Sequence, residues 1–371
     1  SIDEAVFNSA IPPEFRAQLA EAFGGEAAIT LERPGVVAKP RDTSWIDALD
    51  RQGWYYWNSY RDLLINSKGW DAPAIRALDN STDTILRYLE NPATSSFDVR
   101  GLVIGQVQSG KTSNYTGLIA KAADIGYRLV IVLTGRDNLL RRQTQLRLNR
   151  ELVGYVDGRP NSVPLPPLGK IWHIFTSEDE KGDFRRGLAN AAALQPGQPP
   201  VLLVVKKNAS VLGRVHKWLS DAGQIVLAQL PLLVIDDEAD DSSPDTRGSY
   251  LTADDPVSEE DKSPSTINER IRSILGIVQR RAYVAYTATP FANVLIPHDK
   301  VNPGLESDLY PRDFIVTLPV PRGYFGAEQL FGKFDPDEDG EVKGGLNVIR
   351  TVEEDEVTTL VEGNSLPESL E

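Results

Sequence analysis

The chain has 371 residues, with 39 Lys and Arg against 53 Asp and Glu, a formal charge of −14, 41% hydrophobic residues, and neither Cys nor Met. Without Cys there is no disulfide scaffold, Cys-ligated zinc site, iron–sulfur cluster or thiol nucleophile. Apolar runs such as Leu129 to Leu133 and Val201 to Val205 are far shorter than the roughly 20 residues a membrane-spanning helix needs, and Ser1 to Asn8 carries Asp3 and Glu4 rather than a basic, apolar leader, so a cytoplasmic protein with no membrane partner is expected.

Residues 1–95 read as a helical N-terminal extension. Apolar residues recur at three-to-four spacing in Ala17 to Ala22, Trp54 to Leu64 and Thr82 to Leu89, with Ser81 as the expected N-cap of the last. The aromatic cluster Trp54, Tyr55, Trp57 and Tyr60 is expected to pack in a core.

Residues 96–297 repeat a strand, turn and helix pattern. Apolar strands are expected at Val99 to Ile104, Leu129 to Leu133, Ile171 to Phe175, Val201 to Val205, Leu230 to Ile235 and Ala282 to Tyr286. Helices are expected at Thr112 to Ala123, Leu139 to Leu152 and Val211 to Leu219. Strands that are apolar throughout and alternate with helices predict a doubly wound parallel sheet covered on both faces, a three-layer α/β architecture. From Arg128 to Asp221 there are 15 basic and 8 acidic residues, a basic island in an acidic chain. Most of these charges read as solvated helix faces, and a contact with a polyanion is compatible with the rest.

Residues 298–371 are Pro- and Gly-rich and acidic, with a strand or two expected near Phe314 to Leu318 and a loosely structured tail after them. Asp335, Asp337, Asp339 and Gly340 imitate the start of a calcium loop, but Leu346 stands where its closing Glu belongs, so a solvated acidic turn is expected.

Gly105-Gln106-Val107-Gln108-Ser109-Gly110-Lys111-Thr112 fits the phosphate-binding loop G-x-x-x-x-G-K-[ST], between an expected strand and an expected helix. In such a loop backbone N–H groups curl around phosphate, Lys111 adds charge at the β and γ oxygens of ATP, and the Thr112 hydroxyl ligates Mg²⁺. The strand ending in Asp236-Asp237-Glu238-Ala239-Asp240 puts carboxylates where ligands bind an open α/β sheet. Asp237 would reach Mg²⁺ through water, and Glu238 would polarise the attacking water. Thr287-Ala288-Thr289 follows another apolar strand, where small hydroxyl residues can sense the γ-phosphate.

Together these elements resemble superfamily 2 helicases: a Walker A loop, a DEAD box (Asp237-Glu238-Ala239-Asp240) and a TAT-type motif. The neighbouring text Val107 to Tyr115, Lys121-Ala122-Ala123-Asp124, Arg142-Gln143-Thr144-Gln145 and Tyr286 to Asn293 is similar to the DEAD-Z1 family of helicase-like motors, subunits of bacterial restriction and phage-defence systems. The resemblance spans roughly residues 50–320 and implies a RecA-like P-loop NTPase domain. It also implies ATP-driven translocation on double-stranded DNA, feeding a nuclease on a partner subunit. By the same resemblance Thr134, Gly135 and Arg136, and likewise Lys206, Lys207 and Asn208, are expected to contact a DNA backbone.

Gln106 and Gln108 replace small residues common in that loop, and no adenine-reading Gln motif is visible upstream. No Q-x-x-G-R-x-x-R segment occurs, so the arginine fingers are expected from a second RecA-like domain in C-terminal domains beyond an N-terminal fragment. The alternative reading is an ATP-binding regulatory or scaffold module of a nuclease complex; Glu238 argues against it, because such a module needs no base there. A nuclease site in the chain itself has little support, with three widely spaced His.

Overall fold

Apolar runs set the architecture. In the computed structural model, residues 34–106, 110–156, 159–160, 167, 169–241, 243, 266–294, 309–319, 330–334, 342–343 and 345–346 are described. The chain divides into two compact units, residues 31–320 and residues 1–30 with 321–371. In the second, a short antiparallel ladder pairs Lys333–Phe334 with Val342–Lys343. The helix expected at Ala17 to Ala22 and the acidic turn from Asp335 lie outside the described residues.

The first unit runs β1 (Gly35–Ala38), α1 (Tyr56–Asn66), α2 (Ala72–Tyr88), β2 (Phe97–Ile104), α3 (Lys111–Ile125), β3 (Leu129–Thr134) and α4 (Asn138–Leu148). It continues with β4 (His173–Ile174), β5 (Val201–Lys206), α5 (Ala209–Asp221), α6 (Gln224–Ala228) and β6 (Pro231–Asp237). Then come α7 (Thr266–Gly276), β7 (Arg280–Thr287), α8 (Phe291–Val294) and β8 (Phe314–Thr317). The eight strands form one sheet in the order β1-β8-β2-β7-β6-β3-β5-β4. Only β1 is antiparallel to its neighbour.

Alternation along the strands sends side chains to two cores. Val130 and Val132 of β3 join a core with Trp57, Tyr60 and Ile85 of α1 and α2 and with Leu118 of α3. Leu129, Ile131 and Leu133 join the opposite core with Leu212 and Val215 of α5 and Ile271 and Ile274 of α7. Both faces are therefore covered, which is why the central strands are apolar throughout. This is the expected RecA-like three-layer α/β sheet.

Several local expectations change. Ser81 is not a helix cap: it lies inside α2, buried, with its hydroxyl donating to Leu78 O at 3.0 Å. The cap is Asp71, whose carboxylate accepts from Ala74 N at 2.8 Å, with Pro73 in the first turn. The helix expected to reach Leu152 ends at Leu148 and continues as a π turn over Asn149–Val153. The strand expected over Ile171 to Phe175 is reduced to His173–Ile174. The aromatic cluster does pack in the core, with Trp54, Trp57 and Tyr60 buried.

The stretch Lys121 to Asp124 binds the N-terminal helices to the phosphate-loop helix. The buried Lys121 ammonium pairs with Asp79 at 2.5 Å and Asp83 at 2.6 Å, both on α2. Asp124 accepts from the N–H groups of Tyr55, Tyr56 and Trp57 at 2.8–3.0 Å, capping α1 from a neighbouring helix. Helices α1 and α2 thus share one core with the sheet, and the sheet extends past residue 297 to include β8.

Candidate functional site

Strand register brings the motifs to one rim. Ile104 lies opposite Thr287, Tyr286 opposite Asp237, Asp236 opposite Leu133, and Thr134 opposite Lys206. The carboxyl ends of β2, β7, β6, β3 and β5 are therefore level, at the edge where open α/β sheets bind ligands.

The phosphate loop leaves β2 at Gly105, whose N–H donates to Thr287 O at 3.0 Å. It enters α3 through Gly110, at φ 85° in the left-handed region that suits glycine. Val107, Gln108 and Ser109 lie outside the described residues. Lys111 turns back onto the loop, its ammonium donating to Gly105 O at 3.0 Å and Gln106 O at 3.1 Å. Burial lowers the Lys111 pKa, opposed by the charges of Asp237, Asp240 and Glu238. Thr112 is half-buried at the start of the same helix.

Asp237 is held from the phosphate-loop helix. The Tyr115 hydroxyl donates to its Oδ2 at 3.1 Å, and Glu238 N–H donates to Oδ1 at 3.2 Å. Burial raises the Asp237 pKa above the ordinary carboxylate value; the Tyr115 bond opposes this and the neighbouring Glu238 charge reinforces it. Glu238 is exposed, and its φ of 54° makes it the only left-handed non-glycine residue among those described.

The remaining DEAD residues fasten this turn to β7. Ala239 N–H donates to Tyr286 O at 3.0 Å, and Asn293 Nδ2 donates to Ala239 O at 3.1 Å. Asp240 accepts from the Thr287 hydroxyl at 2.6 Å and from the Thr289 hydroxyl. Burial works against the Asp240 charge, yet these two bonds hold its pKa below the ordinary value. Ala288 lies half-buried between the two threonines. Tyr286 continues the network inward, donating to Asn114 Oδ1 at 2.9 Å, while Asn114 donates to Ser81 Oγ at 2.9 Å.

The DNA-backbone expectations divide. Thr134 and Gly135 are buried, and Lys207 is buried with its ammonium 2.8 Å from Asp236. Asn208 caps α5, accepting from Ser210 N at 3.0 Å and Val211 N at 3.2 Å. Burial thus takes Thr134, Gly135 and Lys207 away from a DNA backbone, and the Asn208 carbonyl oxygen is committed to the helix. Arg136 is exposed on the rim, 3.6 Å from Asp241, and half-buried Lys206 donates to Asn138 at 2.9 Å. Asn114 and Tyr115, three and four residues after Lys111, carried the family resemblance but no site role in the sequence; their bonds to Tyr286 and Asp237 come from the fold.

For Mg²⁺ the donor set fits. Thr112 offers a hydroxyl and Asp237 a carboxylate, hard oxygen ligands of the kind Mg²⁺ takes alongside waters and phosphate oxygens. Among the described residues no group of three or more His, Cys, Asp or Glu is arranged to cage a metal alone. No helix among them is long and apolar enough to cross a membrane.

No protein-family profile matches the chain, and no curated protein does. Among solved structures, the chain is similar to a variant of S. cerevisiae Dbp5 bound to RNA and ADP BeF3, at 14% identity and a TM-score of 0.31. The match covers 63% of this chain and 50% of that one, so the chain spans about half the length of the structure it matches.

Proposed function

We propose that this domain binds ATP·Mg²⁺ and hydrolyses it as the N-terminal half of a helicase-like motor. The motor would translocate on double-stranded DNA within a cytoplasmic restriction or phage-defence complex, feeding a nuclease on a partner subunit. The observation that carries this reading is the convergence on one rim of Lys111, Asp237, Glu238 and the Asp240–Thr287–Thr289 cluster. The DNA, complex and nuclease parts rest on the family resemblance of the motifs.

In this mechanism the Lys111 ammonium exchanges the carbonyls of Gly105 and Gln106 for β- and γ-phosphate oxygens. Thr112 and Asp237 would hold Mg²⁺, which supplies charge neutralisation at the phosphates. Glu238, exposed at the rim, takes a proton from the attacking water as its oxygen bonds the γ-phosphorus and the bond to the bridging oxygen of ADP breaks. Asp240 ties the base's turn to Thr287 and Thr289, so loss of the γ-phosphate can be passed along β7. A second RecA-like domain would add arginine fingers, which typically raise turnover by roughly 10³ to 10⁵.

The chain alone is therefore expected to bind ATP·Mg²⁺ weakly and turn it over slowly, with little stimulation by duplex DNA. Lys111→Ala should remove binding. The rate should rise steeply with DNA when the C-terminal domains are present. Fast DNA-stimulated hydrolysis by this chain alone would contradict the need for a second domain.

A further inference from the structure

Lys207 stands at the end of β5, two strands from β6, with β3 between them. Its backbone N–H donates to Thr134 O at 3.2 Å, at the end of that intervening strand. Its side chain crosses the same strand end and is only 1% exposed. There the ammonium lies 2.8 Å from Asp236 Oδ1 and donates to Glu238 O at 2.5 Å and Asp241 O at 3.0 Å. Asp236 is itself fully buried, and its other oxygen accepts from the Tyr283 hydroxyl at 2.5 Å. Of the three oxygens around the ammonium, Asp236 Oδ1 lies at the end of β6 and the Glu238 and Asp241 carbonyls lie in the turn that follows it.

A buried Lys is retained at such a place only when its charge is paired and its donors are used. Here the partners flank a residue in a backbone conformation that costs free energy for anything but glycine. The carbonyl following the left-handed Cα of Glu238 is the group the ammonium holds, together with Asp241 N–H at 2.9 Å.

We propose that Lys207 is a positioning residue for the general base: it fixes the left-handed turn at Glu238 and so aims that carboxylate into the nucleotide site. This rests on the reading of Glu238 as the base. The Lys206–Asn208 turn is thereby mechanically joined to the base through a buried side chain.

Removing Lys207 alone would leave Asp236 charged and unpaired in the core, so the test removes both charges. In Lys207→Met/Asp236→Asn the Asn oxygen can still accept from Tyr283. The protein should melt cooperatively and bind mant-ATP·Mg²⁺ within about threefold of the parent, while single-turnover hydrolysis falls about 30-fold, the scale of a misaimed catalytic group. Lys207→Gln/Asp236→Asn, which keeps an N–H donor for the Glu238 carbonyl, should recover about tenfold of that loss on the same reasoning. Adding Glu238→Gln to the Met pair should slow the reaction no more than Glu238→Gln does alone, because residues acting as one unit are not additive.

Parent-like hydrolysis by the Met pair, absence of recovery in the Gln pair, or an additive loss with Glu238→Gln would each overturn the proposal. If Glu238→Gln by itself leaves the rate unchanged, the reading of Glu238 as the base fails instead.

Discussion

Gly135 lies directly against the carboxylate of Glu238. A Cβ added at Gly135 would stand 3.1 Å from Glu238 Oε2 and 3.1 Å from Leu140 Cδ1. The family resemblance gave this glycine to a DNA backbone, whereas the structure places it where a side chain would push the proposed base away. Gly135→Ala should therefore lower single-turnover hydrolysis about tenfold while leaving the ATP dissociation constant within about threefold. A rate equal to the parent's would show that Glu238 has room to spare.

Asp237 makes a stability prediction with a definite sign. Its folded pKa is raised, mainly by burial. The native state therefore holds the proton more tightly than the unfolded chain, and stability falls as pH rises from the ordinary carboxylate value through the raised one. Without Mg²⁺ at neutral pH, Asp237→Asn should raise the melting temperature by a few degrees, the scale of about 1 kcal/mol in a domain of this size. The same variant should lose the extra stabilisation that ATP·Mg²⁺ gives the parent. A lower melting temperature in the metal-free protein would contradict the burial argument.

Asp240 has the opposite sign. Hydrogen bonds from Thr287 and Thr289 overcome burial and depress its pKa, so the stability it contributes is present above the ordinary value and is lost as pH falls through the depressed one. Thr289→Val removes one of the two donors. The variant should have the lower melting temperature of the two proteins at pH 6, and the gap should narrow as the pH is taken down towards 3, the range in which carboxylates protonate. A gap that does not change with pH would show that the bond does not stabilise the carboxylate charge.

Asp124 caps α1 with three N–H bonds from a side chain on α3. Asp124→Ala should cost about 2 kcal/mol, the upper end for a cap, and lower the melting temperature by roughly 4–8 °C. Unchanged stability would mean that α1 is held by its apolar face alone.

The central fold was legible because its signals are local. Five-residue apolar runs such as Leu129 to Leu133, alternating with helical stretches, fit strands buried on both faces, and the phosphate loop leads from a strand into the helix that Lys111 begins. The carboxylates after β6 were legible for the same reason. What was not legible depends on neighbours far apart in sequence. Ser81 has the chemistry of a cap, but the stronger pair Asp71 and Pro73 starts the helix earlier and leaves Ser81 facing Asn114. Lys206 and Lys207 are adjacent and equally basic in the text, yet strand alternation sends one to the rim and the other inward onto Asp236. Tyr115 became a partner of Asp237 only through register between β6 and the phosphate-loop helix, 122 residues apart.

Glu238 is tested as the general base by single-turnover ATP hydrolysis of the chain with and without Glu238→Gln, alongside mant-ATP·Mg²⁺ binding. Binding should be unchanged and the rate lower by about 10² or more, the contribution of a positioned general base. Hydrolysis by Glu238→Gln at the parent rate would contradict that role.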